Sequence, residues 1–194
     1  FVEVSGLLKS LACNLLKISN DLRLLNSGPH GGIGEIILPK VQAGSTIMPG
    51  KVNPVIAEMV AQVSMRVISN DTAITMASSS GQLELNAFTP LIAECLLESL
   101  ELLERAVVLF REKCISGIKV NKENCKKNLE TSTALVTALV HYIGYDKASE
   151  LAKKALKNHK TIREILYEGK ILPNEKIDEI LNPYQLTKPG IPGK

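Results

Sequence analysis

Between Gly44 and Pro54 the chain reads GSTIMPGKVNP, a stretch rich in residues that can handle a small anion. Gly44 and Gly50 permit backbone conformations that turn N–H groups toward a ligand. Ser45 and Thr46 bring hydroxyls, Lys51 a fixed positive charge, and Asn53 an amide that both donates and accepts. Pro49 and Pro54 restrict the chain before anything binds. The apolar pattern that follows predicts a helix, whose N-terminus carries partial positive charge. Together these residues suit a small carboxylate ligand. The same composition also suits a glycine/proline connector with a surface lysine, and residue types alone leave both readings open.

The elements that must hold this loop are helical. Val4, Leu7, Leu8, Leu11, Leu15, Ile18, Leu22 and Leu25 recur at steps of three and four, which predicts an amphipathic helix over residues 1–25. NSGPHGGIGEI (Asn26 to Ile36) ends it, and EIILP (Glu35 to Pro39) reads as a short extended piece. Pro54 suits a first helical turn with Asn53 as its N-cap, and the helix runs to about Ala77. SSSGQLELNAFTP breaks the pattern, and Pro90 opens another long helix to about Cys114. Long helices with broad apolar coverage predict a bundle completed by other chains or by further sequence. After Gly117 the helical patterns shorten, to about 121–129, 131–143, 146–157, 160–168 and 174–181. The expected class is all-α, with a long-helix bundle segment at 1–117 carrying the 44–54 loop and a small helical domain at 118–194. The tail NPYQLTKPGIPGK is expected to be extended and to lie on the surface.

Composition narrows the function classes. Hydrophobic residues make up 45% and charged residues 22% of the 194, as in soluble globular proteins. Aromatics reach only 4% with no Trp, so stacking platforms for single-stranded nucleic acid are scarce. Residues 1–110 carry seven basic and ten acidic side chains, against sixteen and ten thereafter. The later lysines alternate with glutamates at helical spacing, which reads as a solvated face rather than a nucleic-acid patch. Cys13, Cys95, Cys114 and Cys125 lack any zinc-type spacing and are expected to be reduced, as in a cytoplasm. Neither a signal peptide nor a bilayer-spanning run is evident, so no membrane partner is expected. The chain opens at Phe1 inside a helical pattern and reads as part of a longer protein.

The order of residues in the loop adds what composition cannot. GSTIMPGKVNP resembles the signature loop of the aspartase/fumarase superfamily, Gly-Ser-Ser-x-x-Met-Pro-x-Lys-x-Asn-Pro, at Gly44, Ser45, Met48, Pro49, Lys51, Asn53 and Pro54. The resemblance continues through NDLRLLNSGPHGGIGEI, SNDTAITMASSSGQLELNAFTP, IGYDKASELAKKA and LNPYQLTKPGIPG. It implies a mostly helical homotetramer with a core built from four subunits. Each active site would draw on three of them, and the chemistry would need no cofactor, with divalent-cation activation known for some members.

The resemblance also implies roles. Ser45 would be the general base, and Lys51 and Asn53 would bind a substrate carboxylate. Thr46 stands where the family often has a second serine and would contact substrate. Glu58 would pair with a catalytic-site histidine from another subunit. His30 replaces the family's usual arginine. Val140-His141-Tyr142 replaces Asn-Pro-His, so His141 is expected to be a partly buried structural histidine. The family's other two signature regions would lie before Phe1, so this chain alone is expected to be inactive. The wording of LPKVQAGS, GQLELN and NPYQLTKPGIPG implies reversible deamination of L-aspartate to fumarate and ammonia by anti β-elimination. Class II fumarase activity, or a non-catalytic helical oligomerisation fragment, are the alternatives.

Overall fold

The three-and-four spacing at the start of the chain produces α1 (Val2–Leu25), which buries Ser5, Ala12, Leu15 and Ser19 on one side. The next long pattern produces α2 (Val55–Ser78), with Ala57, Val60, Ser64, Val67, Asp71 and Ile74 along its buried stripe. Pro90 opens the first turn of α3 (Thr89–Lys113), which buries Ile92, Cys95, Ser99, Leu103, Ala106 and Phe110. In this computed structural model, residues 1–28, 31–42, 44, 48 and 50–193 are described. They form a predominantly helical fold with a long helical core, smaller C-terminal helices and minimal sheet. The chain divides into two compact units, Phe1–Asn121 and Lys122–Lys194.

In the first unit α2 packs against both α1 and α3. Small residues on the buried stripe let the backbones approach, and buried polar side chains tie the helices together. Ser5 Oγ donates to Asp71 Oδ1 at 2.7 Å, and Lys9 Nζ donates to Oδ2 at 2.6 Å. Burial pushes the Asp71 carboxyl up, but the hydrogen bonds from Lys9 and Ser5 and the Lys9 charge outweigh it and hold the group below its ordinary value. Across the other interface, Asn70 Nδ2 donates to Ser99 Oγ at 3.1 Å and to Glu98 Oε2 at 2.7 Å. Arg66 reaches the same Glu98 carboxylate at 3.0 Å. Such bonds have direction, so they fix which turns of neighbouring helices face each other. A tight turn joins α2 to α3: Gln82 and Leu85 exchange backbone hydrogen bonds of 2.8 and 3.1 Å. Within that turn Leu83 adopts φ 50° with its side chain fully in solvent.

The extended piece after α1 is β1 (Ile36–Ile37), and it has a partner the sequence did not reveal. It pairs antiparallel with β2 (Lys119–Val120), Ile36 opposite Val120 and Ile37 opposite Lys119. A single 3₁₀ turn, Ile115–Gly117, leads from the end of α3 into β2.

The second unit is built from short helices: α4 (Lys122–Thr131), α5 (Val140–Ile143), α6 (Tyr145–Asn158), α7 (Ile162–Gly169), α8 (Asn174–Ile180) and α9 (Pro183–Leu186). Thr133–Leu139, expected as part of one α-helix, is a 3₁₀ segment with the Ser132 side chain accepting from Ala134 N–H at its start. The core gathers Leu139, Ile162, Ile165, Leu166, Ile177 and Ile180, each at most 1% exposed. Thr161 and Glu164 form a reciprocal capping box at the start of α7.

Two expectations fail here for physical reasons. His141 is exposed rather than partly buried, because its neighbours Tyr142 and Ile143 take the packed positions of the single-turn α5. The tail is not simply extended. Asn182 caps α9 with Pro183 at its first turn, and the residues beyond fold back. Tyr142 Oη donates to the Pro192 carbonyl at 2.7 Å, and Lys176 Nζ donates to the Gly193 carbonyl at 2.6 Å.

Candidate active site

The segment leading into the loop is fastened to the end of α1. Asn26 terminates that helix, its N–H donating to Leu22 O at 3.0 Å. Ser27 Oγ donates to Leu24 O at 2.5 Å and accepts from Ile33 N–H at 3.1 Å. Gly32 lies so near that a Cβ there would sit 2.5 Å from the Ser27 carbonyl oxygen, so no larger residue fits without a shift. Glu35 N–H then donates to Leu25 O at 3.0 Å, and Asn121 N–H donates to Glu35 O at 2.9 Å. Leu38 follows β1 and is buried in the bundle core.

The two limbs of the loop meet at a backbone neck. Gly44 has φ +108°, and a Cβ on it would lie 3.0 Å from the Lys51 carbonyl oxygen. Glycine therefore meets two demands there, a left-handed backbone and close approach. Lys51 N–H returns to Met48 O at 3.2 Å, with Gly50 at φ +83° between them. The Lys51 side chain is exposed and forms no ion pair among the described residues.

Helix α2 begins one residue later than the sequence suggests. Its N-cap is Pro54, with φ −79° and ψ 60°, and no side chain caps it, so Asn53 is not the cap. The reason is local: the Asn53 carbonyl accepts from Val55 N–H at 2.9 Å, a tight turn that holds Pro54 outside helical geometry. The helix proper starts where Pro54 O accepts from Glu58 N–H at 3.0 Å. Asn53 and Glu58 are both half-buried, and Glu58 sits in the first turn. Ser45, Thr46 and His30 lie outside the described residues. What is described is an exposed ammonium group, a half-buried amide and a helix start with no side-chain cap, within eight residues of chain. Unpaired N–H groups at a helix start and a nearby cation both favour carboxylate binding.

Residues 1–69 match the family model described as Lyase, and residues 135–188 match the one described as Fumarase C C-terminus. Over all 194 residues the chain is 43% identical to Aspartate ammonia-lyase of Bacillus subtilis, covering 41% of that protein. It is 47% identical over 188 residues to Fumarate hydratase class II of Oceanobacillus iheyensis, again covering 41% of it. Among solved structures it resembles fumarate lyase:delta crystallin from Brucella melitensis bound to cobalt. The TM-score is 0.90 at 50% identity, over 97% of this chain and 41% of that one. The chain belongs to the aspartase/fumarase superfamily.

This superfamily chain spans about two-fifths of the length of the curated relatives it matches. Its loop wording was legible because the motif is contiguous. The anchors of the loop were not. Asn26 and Gly117 are separated from it by many residues, and only the folded chain shows that they reach its entry: the Asn26 side chain accepts from Leu38 N–H at 2.9 Å, and Gly117 faces Pro39.

Proposed function

We propose that the protein containing this chain is a lyase that converts L-aspartate reversibly to fumarate and ammonia. The observation that carries the reading is the signature loop at Gly44–Pro54 leading into α2, with Lys51 exposed and Glu58 half-buried in the first turn. Ser45, as its alkoxide, removes a proton from the carbon beta to the amino group. The electron pair left behind delocalises into the adjacent carboxylate as a dianionic aci-carboxylate. Lys51 and Asn53 hold that group, gripping charge that grows toward the transition state, which is the binding that accelerates a reaction. Collapse of the pair forms the carbon–carbon double bond and breaks the carbon–nitrogen bond, releasing ammonia. Thr46 contacts substrate through its hydroxyl. Glu58 orients a histidine supplied by another subunit of a homotetramer.

The Brucella melitensis relative holds cobalt, and divalent-cation activation is a property of some superfamily members. Among the described residues of this chain no group of three or more His, Cys, Asp or Glu could hold a metal ion. Divalent-cation activation of the whole protein is part of this reading, and no step above is routed through a metal. No helix among the described residues is long and apolar enough to cross a membrane, and the reading takes a small dicarboxylate as substrate in a cytoplasmic setting.

The identity to Fumarate hydratase class II of Oceanobacillus iheyensis favours a second reading, in which water rather than ammonia leaves. Following fumarate absorbance with the full-length protein, once with L-aspartate and once with L-malate, separates the two. Turnover of L-aspartate is the expected result, and turnover of L-malate alone would overturn it. The 194-residue chain by itself is expected to turn over neither, behaving as a non-catalytic helical segment.

A further inference from the structure

We propose that Asn26 and Gly117 are positioning residues for the signature loop, gripping its entry from two sides at Leu38 and Pro39. The proposal rests on the lyase reading above. Its starting point is a backbone accounting problem. The β1–β2 ladder pairs Ile36 with Val120 and Ile37 with Lys119 and goes no further. Proline has no N–H to donate, so the ladder stops before it. The chain enters the loop at this point, and two contacts hold it beyond the end of the ladder.

The first comes from the end of α1. Leu38 is buried, so its N–H needs an acceptor, and Asn26 Oδ1 supplies one at 2.9 Å. One residue thus closes the helix with its backbone and holds the loop entry with its side chain. The second contact comes from the turn after α3. A Cβ built on Gly117 would lie 2.5 Å from Pro39 Cγ and 3.5 Å from Pro39 Cβ. The pyrrolidine ring cannot rotate out of the way, so only glycine at 117 lets the ring sit there.

Five residues later the chain reaches Gly44, whose backbone lies against the Lys51 carbonyl. The grip at 38–39 thus ends five residues before the neck of the loop. A displacement of about 1 Å in reacting groups can cost roughly a hundredfold in rate. Asn26 and Gly117 touch no substrate in this account and act only through where they hold the chain.

The test uses the full-length protein with four variants: Asn26→Ala, Asn26→Asp, Gly117→Ala, and Gly117→Ala combined with Pro39→Ala. Gly117→Ala is expected to lower kcat for L-aspartate by about tenfold or more. KM is expected to change by less than about threefold, because the carboxylate binders Lys51 and Asn53 lie on the far limb. Removing the ring in the double variant is expected to restore most of kcat. Asn26→Ala is expected to lower kcat, and Asn26→Asp, which keeps an acceptor oxygen, to retain it. Hydrogen exchange of residues 38–44 supplies a readout independent of turnover, and is expected to quicken in Asn26→Ala and Gly117→Ala but not in the compensated variants. Unchanged kcat in both damaging variants, or loss without recovery in the double variant, would overturn the proposal. A lowered melting temperature with unchanged kcat would mark the two residues as merely structural. If the wild-type protein turns over neither aspartate nor malate, the lyase reading fails. The exchange pattern then decides the grip by itself, and unaltered exchange at 38–44 overturns it.

Discussion

The two units of the chain solve the problem of a helical core in opposite ways. Every buried polar side chain among the described residues lies in Phe1–Asn121: Ser5, Ser19, Ser64, Asn70, Asp71 and Ser99. Among its described residues, Lys122–Lys194 buries only apolar side chains and keeps its polar contacts at helix ends and on the surface. Exposure runs the same way. In the first unit large apolar side chains stand in solvent along all three long helices, among them Leu7, Ile18, Met65, Met76, Leu97 and Leu100. The second unit leaves Tyr145, Leu156, Ile171 and Tyr184 exposed. Apolar burial is strong but non-directional, whereas hydrogen bonds fix geometry. The first unit therefore has a specified alignment of helices and an unfinished surface, and the second has a finished core.

The sharpest way to break this contrast is to separate the halves. Residues 122–194 alone are expected to unfold cooperatively as a monomer, while residues 1–121 alone are expected to self-associate and bind an apolar dye. Light scattering and thermal denaturation check this, and a monodisperse monomer of 1–121 would abolish the contrast. Leu166→Ala comes next. The side chain is fully buried, and a loss of about 2–5 kcal/mol is expected from denaturant unfolding of the second unit.

Asp71→Ala probes the directional side of the comparison. It leaves buried Ser5 and half-exposed Lys9 without their acceptor, with an expected cost of about 1–3 kcal/mol, toward the lower end because Lys9 reaches solvent. The pH dependence has a definite sign. Because the folded carboxyl is held below its ordinary value of 3.8, its stabilisation is present above that value and is lost as the pH falls through the lowered one. Asp71→Asn is expected to flatten that acid limb in a pH series of melting temperatures, and an unchanged limb would remove Asp71 from the account. The smallest effect is expected from Thr161→Ala, which removes the capping box of α7 and should cost about 1 kcal/mol by thermal unfolding.

Much of the fold was legible because it is written in local spacing. Of the expected stripe of α1, Leu8, Leu15 and Leu22 pack on the core while Val4, Leu7, Leu11 and Ile18 stand exposed. Spacing thus revealed the helix better than its buried face, and Pro90 announces α3 directly. Contacts between distant residues are what local reading misses. Two-residue strands have too few residues to show a period, so the pairing of Ile36 with Val120 left no mark. The Asn53–Pro54 boundary was misjudged because the pair can start a helix in two ways, and a single hydrogen bond from Val55 chooses between them. His141 looked structural because Val140-His141-Tyr142 departs from Asn-Pro-His, yet a one-turn helix has room to bury only part of its circumference. At the site, Lys51 and Asn53 were expected from a contiguous motif and Glu58 from its place after it. The contacts of Asn26 with Leu38 and Gly117 with Pro39 were hidden because each joins residues distant in sequence.

The turn between α2 and α3 has a practical consequence for anyone reworking this protein. Leu83 holds a left-handed backbone that disfavours a branched apolar side chain, and presents that side chain wholly to water. In a unit whose apolar surface is unfinished, this leucine on the tip of the hairpin is one more side chain open to a neighbouring chain. Asparagine accepts that conformation readily and is at home in solvent. Leu83→Asn is thus expected to ease the backbone while weakening association with a neighbouring chain, without touching any residue assigned to chemistry.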